Sequence, residues 1–338
     1  MSKIGIDIEK AKQILQTDGL VAIPTETVYG LAANALHKDA VLKIFEAKNR
    51  PHFDPLIIHT NSIEKIKLWV DDFPQWAQQL ANAFWPGPLT LLLPKKNTIP
   101  DLVTSGLPQV AVRIPNHKLT LQLLESLDFP LAAPSANPFG YVSPTTATHV
   151  ATQLQNKVDY ILDGGTCDVG IESTIVGFEN NSVTVYRLGG LAIEDIEQVV
   201  GKVNVQVNQS SNPTAPGMLK SHYAPTKPLF IGDVDDFIKK NSSQRIGIIS
   251  FYKNYNKRHA ELVSASDNLI DGFRNEFGMT VAQKILSPTK DLKEAAHNLF
   301  AAIRDLDASD VDLIIAEKFP DNFLGRAIND RLQRAEAK

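Results

Sequence analysis

Short apolar runs alternate with helical patterns along almost the whole chain, and the alternation breaks only once. Residues 20–23, 56–58, 89–93, 110–114, 131–133, 160–162, 174–176 and 183–186 are short, mainly apolar strand candidates. Between several of them, apolar side chains return every third or fourth position, at 40–47, 75–84, 119–127 and 145–154, and Ile8, Ala11, Ile14 and Leu15 do the same before stopping at Gly19. Period-two and period-3.6 segments in turn predict a mixed α/β domain with a sheet and covering helices.

The break falls at 202–227, where Asn, Gln, Ser and Pro dominate and periodicity is lost. It predicts an interdomain linker between a first domain, 1–201, and a second, 228–338. A chain of 338 residues is long enough for two cores. In the second part, strands are expected at 229–231, 246–250 and 313–316, with helices near 234–239, 292–305 and 327–336, a pattern that fits a small doubly wound sheet.

Composition removes several classes. With 43% hydrophobic and 21% charged residues the chain is neither disordered nor fibrous. Its apolar runs fall far short of a membrane span, and the charged residues Lys3, Asp7, Glu9, Lys10 and Lys12 interrupt any secretory pattern, so no membrane association and a cytoplasmic location are expected. The lone Cys167 has no disulfide partner. A net charge of −4 offers no bulk field for nucleic acid. Residues 1–205 hold 13 Lys and 3 Arg against 21 Asp and Glu. Those three arginines, Arg50, Arg113 and Arg187, stand beside Pro, at a strand end and before Gly-Gly, positions suited to bidentate capture of phosphate or carboxylate and equally to structural ion pairs.

Neither a P-loop nor a Gly-x-Gly-x-x-Gly fingerprint occurs, and there is no His-Glu-x-x-His, Cys-x-x-Cys or Gly-x-Ser-x-Gly. Instead, polar segments stand at the ends of elements: Pro24-Thr25-Glu26-Thr27-Val28-Tyr29-Gly30 after the first strand, Lys48-Asn49-Arg50-Pro51 ending a helix, His59 at a strand end, Pro134-Ser135-Ala136-Asn137-Pro138 after another strand, and Gly170-Ile171-Glu172-Ser173-Thr174 at a strand entry. Ser143-Pro144-Thr145 reads as a helix N-cap with Pro in the first turn, a natural anion site. Loops at strand ends carry ligands in α/β sheets, and so many polar strand ends would be a costly way to close a core.

These segments, with PTETVYGLAANA, KNRP, DPLIIH, WPGPLT, VAVRIP, APSANPFGYVSPT, DGG and GIESTIV in the first domain, resemble the YrdC-type family. The APGMLKSHYAP linker and a tail ending GRAINDRL are similar to its Sua5 form. The resemblance implies a YrdC-like twisted mixed sheet with helices, plus a smaller C-terminal Rossmann-like α/β domain. It also implies synthesis of L-threonylcarbamoyladenylate from L-threonine, bicarbonate and ATP with Mg²⁺, releasing pyrophosphate. Downstream threonylcarbamoyl-transferase proteins would then carry the group to adenosine 37 of tRNAs reading codons that begin with A. Carried onto this sequence, the threonine pocket would be Thr27, His59, Arg113, the backbone at Ala133, and Ser173. The nucleotide would lie against Lys48, Arg50, Asp54, Gln109, Ser135, Asn137, Ser143 and Arg187, with Tyr223 of the linker folding over the cleft. Lys48 and Arg50 would stabilise the charge of the departing pyrophosphate, no general base is assigned, and the metal would come with ATP rather than on dedicated protein ligands.

One position departs from the family's pattern: many relatives carry Asn where this chain has Asp54, and a carboxylate there repels a triphosphate unless Mg²⁺ or a turn absorbs its charge. Two other functions compete. A double-stranded RNA or ribosome-binding module is disfavoured by the acidic balance of the first part, and carbamoyl-adenylate chemistry of hydrogenase maturation by the lack of zinc-finger and acylphosphatase segments.

Overall fold

The structure, a computed structural model, describes residues 3–206, 216, 222–255, 273–274 and 280–336. Much of the expected linker, at 207–215 and 217–221, lies outside the described residues. The chain forms two compact units, Met1–Phe139 with Ser143–Lys220, and Gly140–Val142 with Ser221–Lys338.

The first unit is built on an 11-stranded mixed sheet. In chain order its strands are β1 (Lys3–Gly5), β2 (Val21–Ile23), β3 (Gly30–Asn34), β4 (Ile57–His59), β5 (Leu89–Pro94), β6 (Gln109–Arg113), β7 (Leu131–Ala132), β8 (Tyr160–Leu162), β9 (Thr174–Glu179), β10 (Ser182–Arg187) and β11 (Asn204–Val205). In space they run β1-β8-β2-β3-β7-β4-β6-β5-β9-β10-β11. The helix Gln75–Phe84 has the bounds its apolar spacing predicts, and Lys38–Lys48 extends the expected one by a few residues. It ends where Asn49 takes a left-handed conformation, φ 52°, which turns the chain sharply toward Arg50. The helix expected to start from Ser143 and Pro144 instead begins at Ala147, capped by the Thr146 hydroxyl on the His149 N–H. Ser143 is therefore not a cap, and its hydroxyl is used elsewhere.

Strand alternation decides which residues face the main core. In β4 and β6, Ile57 pairs with Ala111, Ile58 with Val112 and His59 with Arg113. Ile58, Val112, Leu91 and Val176 belong to the large core cluster. Ile57, Ala111, Leu92, Ile175 and Tyr186 form a small separate cluster. Because neighbours along a strand point to opposite faces, His59 and Arg113 share the face of Ile57 and Ala111, and Thr90 and Ser173 share that of Leu92 and Ile175. The polar strand ends thus extend one apolar face of the sheet.

The second unit has a five-stranded sheet: β12 (Leu229–Ile231), β13 (Ile246–Ser250), β14 (Phe273–Arg274), β15 (Thr280–Ile285) and β16 (Leu313–Ala316), in the order β12-β16-β13-β15-β14. All pairs are parallel except the edge pair β14–β15. The helices Leu292–Ala308 and Phe323–Glu336 bury Leu299, Phe300, Ile303, Ile328 and Leu332. Among the described residues no helix is long and apolar enough to cross a membrane.

Candidate functional site

Arg113 ends β6 at 4% exposure, so its charge is held by protein partners rather than by water. Its Nε donates to the Gly87 carbonyl at 3.2 Å and its Nη1 to the Thr27 hydroxyl at 2.9 Å. Its Nη2 lies 2.8 Å from Glu26 Oε1. The loop after β2 presents these partners in a fixed shape: the Thr25 hydroxyl donates to the Val28 carbonyl at 2.6 Å and bonds the Thr27 hydroxyl at 2.8 Å. Glu26 Oε2 accepts from the Asn116 N–H at 3.0 Å. His59, level with Arg113 on the neighbouring strand, is pushed down to about 3 by burial and then by the Arg113 charge, so its imidazole is neutral. The Ala133 N–H is already given to the Ile57 carbonyl at 3.0 Å, which ties β7's end to the same strand pair.

A second group forms at β9. Ser173 Oγ is 2.8 Å from Thr90 Oγ1. Arg187 closes on Ser173 with Nε and Nη2 on its carbonyl at 3.0 and 2.8 Å and Nη2 on its hydroxyl at 3.0 Å. The two groups meet along Gly87–Pro88, since the Thr174 N–H donates to the Pro88 carbonyl at 2.9 Å. Gly189 permits this packing: a Cβ there would lie 2.3 Å from the Glu172 carbonyl oxygen.

A third group surrounds the end of helix Lys38–Lys48. Lys48 Nζ donates to the main-chain carbonyls of Ser135 and Asn137 at 2.5 and 2.6 Å, and the Phe139 N–H returns to the Lys48 carbonyl at 2.7 Å. Burial and the neighbouring Arg50 charge lower the Lys48 pKa well below its ordinary value, while Asp54 and Glu172 oppose the shift. Glu172 accepts from the Ser143 hydroxyl at 2.5 Å, which links this group to Ser173. Arg50 donates to the Asp54 and Pro55 carbonyls at 3.1 and 2.8 Å and pairs with the Asp54 carboxylate at 2.8 Å. Asp54, fully buried, is thus an ion-pair partner of Arg50, which absorbs the charge that set this position apart in the sequence.

Of the residues expected from sequence, the first unit brings together Thr27, His59 and Arg113, then Ser173 and Arg187, then Lys48, Ser135 and Asn137, with Ser143 joined through Glu172. Gln109 starts β6, at the strand end opposite Arg113 and on the side where Asp54–Pro55 leads into β4. Tyr223 belongs to the second unit, where its ring stacks on Phe300 and faces the guanidinium groups of Arg331 and Arg334. Sequence reading passed over Glu26, Thr90 and Glu172. Each carried a signal: an acid between two threonines, a hydroxyl inside the apolar run 89–93, and an acid next to Ser173. The Cys167 thiol is buried and pushed up by burial, which leaves it unreactive. Among the described residues no three His, Cys, Asp or Glu side chains are grouped as a bound metal would need.

The first unit is a mixed α/β sheet whose strand ends carry a buried Arg–Thr–Glu group and a Lys-held loop. A family model described as "Telomere recombination" (Sua5–YciO–YrdC) matches residues 13–189, and one described as "Threonylcarbamoyl-AMP synthase, C-terminal domain" matches residues 191–337. The chain is 40% identical over 333 residues to the threonylcarbamoyl-AMP synthase of Pyrococcus abyssi, covering 97% of this chain and 93% of that one. It is 40% identical over 335 residues to the threonylcarbamoyl-AMP synthase of Bacillus subtilis, covering 97% and 92%. A crystal structure of P. abyssi Sua5 complexed with L-threonine superposes with a TM-score of 0.86 at 36% identity, over 99% of this chain and 97% of that one. The chain belongs to the Sua5 family of threonylcarbamoyl-AMP synthases.

Proposed function

We propose that this chain condenses L-threonine, bicarbonate and ATP into L-threonylcarbamoyladenylate and pyrophosphate, in the cytoplasm. Downstream transferase proteins would use the product to modify adenosine 37 of tRNAs reading codons that begin with A. The observation that carries this reading is Arg113, buried, with its guanidinium fixed by Gly87, Thr27 and Glu26 beside a neutral His59. A guanidinium has five N–H donors, and those left over suit the carboxylate of an amino acid. Ala133 and Ser173 complete the threonine pocket.

The nucleotide is assigned to Lys48 and Arg50 with Ser135, Asn137, Ser143, Arg187 and Gln109. Magnesium, arriving with ATP, would offset phosphate charge. Lys48 and Arg50 oppose the negative charge that builds as pyrophosphate leaves, and the fixed loops hold nucleophile and phosphorus in line, so positioning and electrostatics supply the catalysis. Support comes from the family, from a relative solved with L-threonine, and from the adjacency of the groups through Gly87–Pro88 and Glu172. Nothing in the comparisons favours the RNA-binding alternative.

The test is a split between substrates. Arg113→Ala is expected to raise the KM for threonine by about 10- to 100-fold, the loss of a charged hydrogen bond of about 1.5–3 kcal/mol, with little effect on the KM for ATP. An unchanged threonine KM would remove the pocket assignment.

A further inference from the structure

Three buried polar atoms around the Arg113 guanidinium have no hydrogen-bond partner among the described residues: Glu26 Oε1, His59 Nδ1 and Arg113 Nη2. Glu26 Oε1 and Arg113 Nη2 stand 2.8 Å apart in an ion-pair contact that lacks hydrogen-bond geometry. The pair neutralises both charges, and Glu26 Oε1 keeps lone-pair capacity that this contact does not use. Glu26 is 4% exposed, and its other oxygen is pinned by the Asn116 N–H at 3.0 Å. The carboxylate is therefore fixed in place, beside the group assigned to an amino acid's carboxylate. An α-amino acid carries its carboxylate and its ammonium on one carbon, the complement of a guanidinium and a carboxylate held in contact.

We propose, resting on the amino-acid pocket assigned to Arg113 above, that Glu26 binds the ammonium of threonine and takes the proton it must lose before its nitrogen can attack. In the ammonium the nitrogen has four bonds and no lone pair. One proton passes to Glu26 Oε1, and the freed pair forms the N–C bond to the carbon of bicarbonate. The C–OH bond breaks, and hydroxide leaves with a second amine proton as water. The products are the carbamate, water and a neutral Glu26 that returns its proton to solvent. The other groups near this carboxylate are less suited. Arg113 is a permanent cation, His59 is held neutral with a pKa of about 3, and the Cys167 thiol, on the loop with Asp168, is buried and pushed up. That loop packs on Glu26 through the Val169 N–H, 2.6 Å from the Glu26 carbonyl.

Glu26→Gln keeps size and polarity and removes the proton acceptor. Threonine- and bicarbonate-dependent pyrophosphate release is followed from pH 7 to 9.5 at varied threonine. We expect kcat/KM for threonine to fall about 100-fold at pH 7, within the usual range for a lost general base, and the deficit to shrink about tenfold per pH unit as free amine becomes available without the enzyme. Glu26→Asp, which keeps a carboxylate, should run slower with the wild-type pH profile. It also decides the matter if the Gln variant does not fold. A Gln variant equal to wild type, a deficit that is constant with pH, or an Asp variant that follows the Gln profile would overturn the proposal and leave Glu26 as a brace for Arg113. Arg113→Ala run in parallel separates the two ideas. An unchanged threonine KM there sinks the pocket itself, whereas a raised KM together with a pH-independent Gln deficit sinks only the role of Glu26.

Discussion

The Lys48 ammonium lies 2.6 Å from the main-chain carbonyl of Asn137, so the end of one helix and the loop after β7 are held by a single buried cation. Three side-chain donors are available on a lysine, and two are given to carbonyls of the loop. Lys48 therefore shapes the site as well as charging it. Lys48→Ala is expected to lower kcat/KM for ATP by about 10- to 100-fold, equivalent to about 1.5–3 kcal/mol, while the threonine KM stays near wild type. Steady-state kinetics with each substrate varied in turn checks this, and a defect confined to threonine would contradict it.

Gly189 lets the chain after β10 pass against residues 172–174, with a hypothetical Cβ 2.3 Å from the Glu172 carbonyl oxygen and 2.5 Å from the Thr174 nitrogen. These are main-chain atoms that cannot swing aside. Gly189→Ala should destabilise the protein by about 2–3 kcal/mol and, by shifting Ser173, cut the synthesis rate about 100-fold. Urea unfolding with a parallel rate measurement tests both; wild-type values would show that the segment yields freely.

Arg187 holds the Ser173 carbonyl through two donors and its hydroxyl through one. Arg187→Ala should cost about 2–4 kcal/mol by leaving buried acceptors unmet, and lower the melting temperature by about 10 °C. Arg187→Lys should recover little, because an ammonium cannot reproduce the planar fork. Thermal unfolding of both variants is the measurement, and a full rescue by Lys would show that charge alone matters.

His59 gives the fold an acid limit. Its pKa is about 3 when folded against an ordinary 6.5, because burial and Arg113 disfavour the imidazolium. Between those values the unfolded chain binds the extra proton. Its contribution is therefore fully present above pH 6.5 and is lost progressively as pH falls toward 3, on the order of a few kcal/mol in all. Denaturant unfolding across this window should show a steeper acid loss in wild type than in His59→Gln. Parallel curves would mean that His59 does not stay neutral.

Much of the scaffold was legible because pattern and packing agreed. The helix Gln75–Phe84 and the strands Leu229–Ile231, Ile246–Ser250 and Leu313–Ala316 follow their apolar spacing. The strand Gly30–Asn34 was not, since Gly-Leu-Ala-Ala-Asn has no β-branched residue and owes its conformation to pairing with β2 and β7. Ser143 misled because Ser-Pro-Thr is a strong helix-start signal, while a carboxylate far along the chain, Glu172, held its hydroxyl more effectively. The cations of the site could be picked out one by one. Asp54 stood out by its charge, but its pairing with Arg50 four residues earlier depends on how the turn folds, and Glu26, which was passed over, meets Arg113 only when a loop and a distant strand come together.

The most direct measurement is incubation of the protein with ATP, Mg²⁺, bicarbonate and labelled L-threonine. Pyrophosphate should appear only when threonine and bicarbonate are both present, with the label recovered in an adenylate of threonylcarbamate. ATP left intact, or pyrophosphate released while the label stays in free threonine, would contradict the account.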